Sequence, residues 1–309
     1  MNEDFSNSAA TSVYLFGMVV QSTIHRLSGA FPDKDSYGEI AETYRLPGGE
    51  AGNSAVVLNR LGYRVKLDGP FLGTRTREPV LKFYEGMGVD VSGMRYDPSF
   101  SGVEDLVIVA DDSRTVFGTY AHYFTIPEER WTEPDESAVA AAKIVGIDPF
   151  FKRQSEKAAG FCVKHSVPYV TIDCDPDSFL FVNAAAVIIS NEYIRGHFGG
   201  EPIESLHRRY AENTSGLVVF TFGGREIVFG RKSGPICRAM PFNVEVKSTL
   251  AAGDTFRAGV MHGICSGVSD EKTVEFAAAT AACVCRHFPF GLQPPTMAEI
   301  SGILALRSV

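Results

Sequence analysis

Residues 248–256 have the composition of a site that binds an anion and moves a proton. They read Ser-Thr-Leu-Ala-Ala-Gly-Asp-Thr-Phe, and a long helical pattern begins at their end. Small residues allow a backbone to approach a ligand closely, and the first amides of a helix have no internal partners. Such amides hold negative charge, and Asp254 beside them is positioned to take a proton from a hydroxyl group. The segment indicates phosphoryl transfer, although an ordinary helix start with an acid in its first turn has the same local sequence.

A second glycine-rich segment, at 48–55, also opens a helix. It reads Gly-Gly-Glu-Ala-Gly-Asn-Ser-Ala, and the helical pattern that follows ends at Gly62. Paired glycines suit a backbone pressed against a polyhydroxy ligand, and the Asn53 amide both donates and accepts hydrogen bonds. Taken alone, the segment is equally typical of a glycine turn before a helix.

Short β-branched runs alternate with helical patterns, which predicts a parallel sheet with helices on both faces. We predict strands at 13–20, 65–67, 143–147, 169–172, 187–189 and 217–222, and helices at 55–61, 77–86, 154–165, 202–213, 254–265, 271–286 and 297–306. Side chains of residues 37–46 alternate between polar and apolar, as in a strand. Residues 103–110 and 115–123 flank a turn, as in a β-hairpin. We therefore expect one catalytic domain over 1–309, with lid strands inserted within about 20–47 and 92–124 and a flexible leader at 1–12.

Composition excludes several classes of protein. With 45% hydrophobic and 21% charged residues the chain is typical of a soluble globular protein, and it has no apolar run of membrane-spanning length. A net charge of −8 argues against nonspecific binding to nucleic acid or to an anionic membrane. Six scattered cysteines favour reduced thiols in a cytoplasmic protein. The first strand is not followed by Gly-x-Gly-x-x-Gly, which discourages a nicotinamide enzyme.

In this order, the two glycine-rich segments resemble the signatures of the ribokinase-like sugar kinases, the phosphofructokinase-B (PfkB) family. The resemblance covers nearly the whole chain, including the strand at 13–20, the runs at 86–90 and 218–224, and the tail at 291–296. It implies a three-layer α/β/α sandwich with a mostly parallel central sheet and a small β-sheet lid. In this family the lid covers the sugar and often pairs between subunits, so a homodimer through the lid is one expectation.

The resemblance also implies an activity, which is transfer of the γ-phosphate of ATP, with Mg²⁺, to a hydroxyl group of a sugar or related small polyhydroxy substrate. Asp254 is then the general base, and the amides of Ala251, Ala252 and Gly253 form the anion hole. The implied contacts are Ser22, Gly48, Gly49, Asn53 and Asp148 for the acceptor, and Asn191, Thr221, Gly223, Gly224, Ala278 and Gly291 for the nucleotide. A nucleoside kinase of the same family, or a catalytically silent sugar-binding protein on this scaffold, are the alternatives.

Several positions depart from the family pattern. Ser22 stands where the family usually has a sugar-binding Asp. Ser248 stands where the family usually has an Asp before the small residues, which weakens the case for a monovalent-cation site. An Asn-x-x-Glu motif tied to magnesium begins at Asn191, but Ile194 replaces its Glu. No direct metal ligand is therefore predicted, and Glu192 is a candidate for contact through water. The phosphoryl-transfer core is retained while the residues that set specificity differ.

Overall fold

The computed structural model describes residues 12–111 and 113–307. The predicted leader therefore lies outside the described residues except for Ser12, which begins the first strand, and so does Asp112 of the predicted turn. The strands are β1 (Ser12–Phe16), β2 (Val20–Leu27), β3 (Ile40–Gly48), β4 (Arg64–Asp68), β5 (Glu104–Ala110), β6 (Ser113–Gly118), β7 (Ile144–Ile147), β8 (Tyr169–Ile172), β9 (Ala186–Ser190), β10 (Leu217–Thr221), β11 (Ile227–Gly230) and β12 (Cys237–Ala239). The α-helices are α1 (Glu50–Arg60), α2 (Arg77–Met87), α3 (Tyr120–Thr125), α4 (Glu136–Ala141), α5 (Arg153–His165), α6 (Phe179–Val182), α7 (Asn191–His197), α8 (Ile203–Glu212), α9 (Ala252–Ser266), α10 (Asp270–Cys285) and α11 (Met297–Ala305).

The central sheet has the strand order β12-β11-β10-β9-β8-β7-β1-β4. Its six strands β4, β1, β7, β8, β9 and β10 run parallel to one another, while β11 and β12 are added antiparallel at one edge. Successive side chains of a strand point to opposite faces, and β1 shows this clearly. Val13 and Leu15 join the core formed with α1, α2, α9, α10 and α11, whereas Tyr14 and Phe16 join the core formed with α4 to α8. The predicted three-layer α/β/α fold is confirmed.

A second, four-stranded sheet in the order β3-β2-β5-β6 forms the lid. Strand β2 pairs antiparallel with β3 but parallel with β5, in a register that sets Ser22 opposite Asp105. Strands β5 and β6 form the predicted hairpin. The strand expected at 115–123 was too long, because β6 ends at Gly118 and the short helix α3 begins at Tyr120.

The single strand predicted at 13–20 was also wrong, since this stretch divides between the two sheets. Strand β1 of the central sheet ends at Phe16, and lid strand β2 begins at Val20. In the linking segment, residues 17–19, the N–H group of Met18 donates to the Asp148 carboxylate at 2.6 Å. A β-carbon on Gly17 would lie 2.0 Å from the same carboxylate. Only glycine therefore lets the chain pass this buried acid and leave the central sheet for the lid.

Candidate active site

A cavity of about 590 Å³ lies between the inner face of the lid and the carboxyl ends of β8, β9 and β10. Ligands of open α/β sheets bind at this end of the strands. The predicted site residues that line it are Ser22, Gly48, Gly49, Asn53, Glu192, Thr221, Ala251, Gly253, Asp254 and Gly291. The lid therefore closes over both glycine-rich segments.

The wall of the cavity includes the first turn of α9. Ala251, just before the helix, has φ 65°, a left-handed conformation that non-glycine residues rarely adopt and that is often found at functional sites. The Ala252 N–H group donates to the carbonyl of Thr249 at 3.3 Å. In the described part of the chain, the N–H groups of Gly253 and Asp254 have no hydrogen-bond partner. The helix thus presents the N–H groups of Gly253 and Asp254 and the positive end of its dipole to the cavity. Of the three predicted donors, Ala252 is the one that is engaged within the turn.

The Asp254 carboxylate is held in place by α1. Asn53 donates from Nδ2 to its Oδ2 at 2.7 Å, and the Ser54 hydroxyl donates to its backbone carbonyl at 2.9 Å. Burial raises the pKa of the Asp254 carboxyl, while the Asn53 amide and the Arg257 guanidinium oppose that increase. No salt bridge ties up the carboxylate among residues 12–111 and 113–307, so it is available to a ligand in the cavity.

A buried ion pair lies behind this carboxylate. The side chains of Arg257 and Asp148 are both 0% exposed, and Arg257 Nη1 donates to Asp148 Oδ1. Arg257 Nε also donates to the Ser54 hydroxyl at 3.1 Å. Because the other oxygen of Asp148 accepts from Met18, the pair connects the helix that carries Asp254 to the linking segment between sheet and lid.

These contacts correct the expectation that Asp148 binds the acceptor. Asp148 does follow a strand at the expected end of the sheet, but both its oxygens are engaged inside the protein and it does not line the cavity. Ala278 is likewise buried in the helical core around α10 and is not exposed to a ligand. The nucleotide contact expected there is not supported.

Four other predicted residues lie outside the cavity wall: Ala252, Asn191, Gly223 and Gly224. Asn191 begins α7 and accepts from Arg225 Nη2 at 3.2 Å. Gly223 and Gly224 are exposed in the turn between β10 and β11, where a β-carbon would meet no other atom within 4 Å. This turn follows Thr221, which does line the cavity, so any contact from it would be made at the cavity's open side.

Sequence analysis missed five polar side chains in the cavity wall: Glu50, Asp105, Arg114, Tyr120 and Ser190. Glu50 lies inside the glycine-rich segment, and its place as an acid at a helix start is a signal that could have identified it. Burial, with the negative charges of Asp254 and Asp148 nearby, raises the pKa of Glu50 to about 8. Asp105 reaches the cavity through the long-range pairing of β5 with β2, and Arg114 and Tyr120 lie in and just after the hairpin that continues from β5. No local pattern marks the three as site residues.

The strand ends opposite α9 carry acids that could help to hold a metal ion. Asp173 follows β8 and accepts hydrogen bonds from the Ser190 N–H group at 2.7 Å and hydroxyl at 3.0 Å, while Glu192 also lines the cavity. Across the described residues no group of three or more His, Cys, Asp or Glu side chains has the arrangement of a metal cage. This donor set fits Mg²⁺ bound mainly by phosphate oxygens and water, with one or two carboxylates from the protein.

Comparisons with known proteins agree with this fold and cavity. The sequence profile of the pfkB family carbohydrate kinases matches residues 17–296, and the chain belongs to this family, whose members are phosphotransferases with an alcohol group as acceptor. It is 22% identical over 288 residues to a 5-dehydro-2-deoxygluconokinase of Bacillus licheniformis, covering 84% of this chain and 87% of that protein. It is 24% identical over 273 residues to a nucleoside kinase of Methanothermobacter thermautotrophicus, covering 82% and 83%.

Among solved structures, the ribokinase of Arabidopsis thaliana in complex with ribose and ATP superposes with a TM-score of 0.76. The match covers 96% of this chain and 99% of that one at 17% identity, which supports the fold. Within the described residues, no helix is both long and apolar enough to cross a lipid bilayer.

Proposed function

We propose that the protein is an ATP-dependent kinase that phosphorylates a hydroxyl group of a sugar or a related small polyhydroxy molecule. The observation that carries the proposal is the arrangement at the start of α9. There the carboxylate of Asp254, which forms no salt bridge, and two free backbone donors, the N–H groups of Gly253 and Asp254, lie in the wall of one lid-covered cavity. Phosphoryl transfer requires this combination of positioning and charge stabilisation.

In this proposal Asp254 removes the proton of the attacking hydroxyl group. The hydrogen bond from Asn53 fixes the orientation of the carboxylate and, with Arg257, favours its ionised form. The remaining amide oxygen of Asn53 and the backbone of Gly48 and Gly49 then hold the acceptor. General base catalysis of this kind contributes about 10²–10⁴ in rate.

The free N–H groups of α9 hold the negative charge of the transferred phosphoryl group. Arg114 reaches the same cavity from lid strand β6, and its positive charge is among the influences that oppose the raised pKa of Asp254. We assign Arg114 to the phosphate side of the reaction. Bound Mg²⁺ would neutralise phosphate charge, with Glu192 as the side chain able to contact it through water.

The lid excludes water from the reacting groups when it closes. Its exposed apolar residues include Val116 and Phe117, at 43% and 50% exposure, and a homodimer through this sheet remains part of the proposal. We also place the enzyme in the cytoplasm, because ATP is available there and all six cysteines are free.

The test is ADP formation with Mg²⁺-ATP and a panel of acceptors that includes D-ribose, D-fructose, D-gluconate, adenosine and inosine. Asp254→Asn should lower kcat by about 10²–10⁴ on the preferred acceptor. Glu156→Gln is the matched control, since Glu156 is an exposed acid in the first turn of α5, away from the cavity. Preference for adenosine or inosine would establish the nucleoside kinase alternative. Equal kcat for wild type and Asp254→Asn would remove Asp254 from the mechanism, and binding without turnover would favour the silent binding protein.

A further inference from the structure

The acceptor side of the cavity contains more carboxyl groups than the proposed reaction requires. Besides Asp254, the carboxyl groups of Glu50 and Asp105 face it from α1 and from lid strand β5. Tyr120 lines the same cavity as the three acids and donates to Asp105. Burial raises the pKa of its phenol, and the charges of Asp105, Glu50 and Asp254 raise it further. The reaction itself leaves Glu50 and Asp105 without an assigned role.

Asp105 has an incomplete set of hydrogen bonds. Its Oδ2 accepts from the Tyr120 hydroxyl at 2.5 Å, whereas its Oδ1 is buried and has no partner among the described residues. Burial raises the pKa of Asp105, and the hydroxyl groups of Tyr120 and Ser22 beside it oppose the increase. A buried carboxylate oxygen without a donor is unfavourable. Because Asp105 lines the cavity, its carboxyl group gains a donor by turning toward a ligand hydroxyl group.

The position of Asp105 in the lid suggests a role for its carboxyl group in binding the acceptor. Ser22 and Asp105 are direct partners in the parallel β2–β5 ladder, and both side chains line the cavity. Ser22 is the position where sequence analysis noted the loss of a carboxylate. Neighbouring strands lie only about 4.8 Å apart, so Asp105 brings a carboxylate to nearly the same place from the next strand.

Arg114 is the only basic side chain in the wall of the cavity within the described part of the chain, and it belongs to a different position of the lid ladder from Asp105. It pairs with Val109, while Asp105 pairs with Gly118. Four residues along a strand separate the two pairs by roughly 13 Å. The lid therefore carries its cation and the Asp105 carboxyl group at different points along the hairpin.

We propose that Asp105 replaces the carboxylate missing at position 22 and that, together with Glu50, it makes this kinase specific for an uncharged acceptor with adjacent hydroxyl groups. Adjacent hydroxyl groups form hydrogen bonds with the two carboxyl groups, Glu50 being largely protonated at neutral pH because its pKa is raised to about 8. A carboxylate on a sugar acid is repelled by the charges of Asp105 and Asp254 in the same wall. The inference rests on the proposed function, because it concerns the acceptor of the same reaction.

The test compares wild type, Asp105→Asn, Asp105→Ser and the exchange variant Ser22→Asp/Asp105→Ser. Glu104→Gln is the matched control, since Glu104 immediately precedes Asp105 in β5 and forms a partly exposed ion pair with Arg75 at 3.0 Å. Each protein is assayed with D-ribose, D-fructose, inosine and D-gluconate, and binding of the same compounds is measured by calorimetry without ATP.

We expect wild type to prefer an uncharged acceptor to D-gluconate. Asp105→Asn should raise the KM for that acceptor by about 10- to 100-fold, the effect of losing a charge-assisted hydrogen bond, with the KM for ATP unchanged. The exchange variant should recover most of what Asp105→Ser loses, and Glu104→Gln should behave as wild type.

Preference of wild type for D-gluconate, an unchanged acceptor KM in Asp105→Asn, or an exchange variant no better than Asp105→Ser would each overturn the inference. Melting curves identify any variant that fails to fold. If a single variant fails, the acceptor KM of the exchange variant decides whether the inference holds. Failure of the proposed function looks different, because wild type would form no ADP with any acceptor, while calorimetry would still report whether Asp105→Asn weakens binding.

Discussion

The buried pair Asp148–Arg257 should be among the most sensitive points of the molecule. Both side chains are 0% exposed, so removing one partner leaves the other charge in a medium that cannot solvate it. Such a loss costs about 3–5 kcal/mol in buried ion pairs. Asp148→Asn and Arg257→Met should each lower the free energy of unfolding by that amount.

The same magnitude can be expressed as a melting temperature. For 309 residues, an unfolding entropy of about 2.1 cal/mol/K per residue converts this loss into a decrease in Tm of roughly 5–8 °C. The double variant Asp148→Asn/Arg257→Met carries neither charge, so it should lose less than the two single variants together, with a coupling energy of about 1–3 kcal/mol.

Urea and thermal unfolding of the four proteins measure this cycle, and kcat is measured in parallel, because Ser54 links Arg257 to the backbone of Asp254. Single variants that lose less than about 1 kcal/mol, or a double variant whose loss equals the sum of both, would refute the reasoning. The first result would mean that water reaches the pair, and the second that the two charges act independently.

Three further predictions concern the cavity wall. The pKa of Glu50 is raised from 4.5 to about 8, so between these values the folded state binds more protons than the unfolded state and stability falls as pH rises. Glu50→Gln should remove this fall in urea unfolding at about pH 5 and about pH 8.5, and an unchanged pH slope would contradict the assignment. Gly49 has φ 91°, and a β-carbon there would lie 2.5 Å from the Met18 carbonyl oxygen, so Gly49→Ala should cost about 1–3 kcal/mol of stability. Gly86→Ala, in an open position of α2, is its control and should be neutral or slightly stabilising in the same unfolding assay. Gly253→Ala meets no atom within 4 Å, so it should keep its Tm but raise the KM for ATP, because the added methyl group enters the space assigned to the phosphate; an unchanged KM would argue against that assignment.

The fold and the two glycine-rich segments were predictable because their signals are local. Strand and helix patterns depend on neighbouring residues, and a helix start carries its own free donors wherever it lies. Asp254 and Asn53 belong to two such starts. Their direct hydrogen bond joins residues 201 positions apart, and only packing of α1 against α9 creates it.

The errors arose where one local pattern fits two environments. An acid after a strand end occurs both in ligand cavities and in buried ion pairs, and Asp148 became the second because Arg257, from a distant helix, neutralises it. The continuous apolar run at 13–20 hid the change of sheet at residues 17–19. Asp105 was missed because its role depends on the register of β2 against β5, which no short segment of sequence specifies.

The parallel pairing of β2 with β5 has a consequence for how this enzyme changes through evolution. The two strands are about eighty residues apart along the chain. No single short segment of sequence therefore contains the whole lid sheet. Recombination that replaces only one of the segments inherits half of the selectivity from each parent. New substrate preferences are therefore reached more readily by paired point changes across the ladder than by exchange of one block.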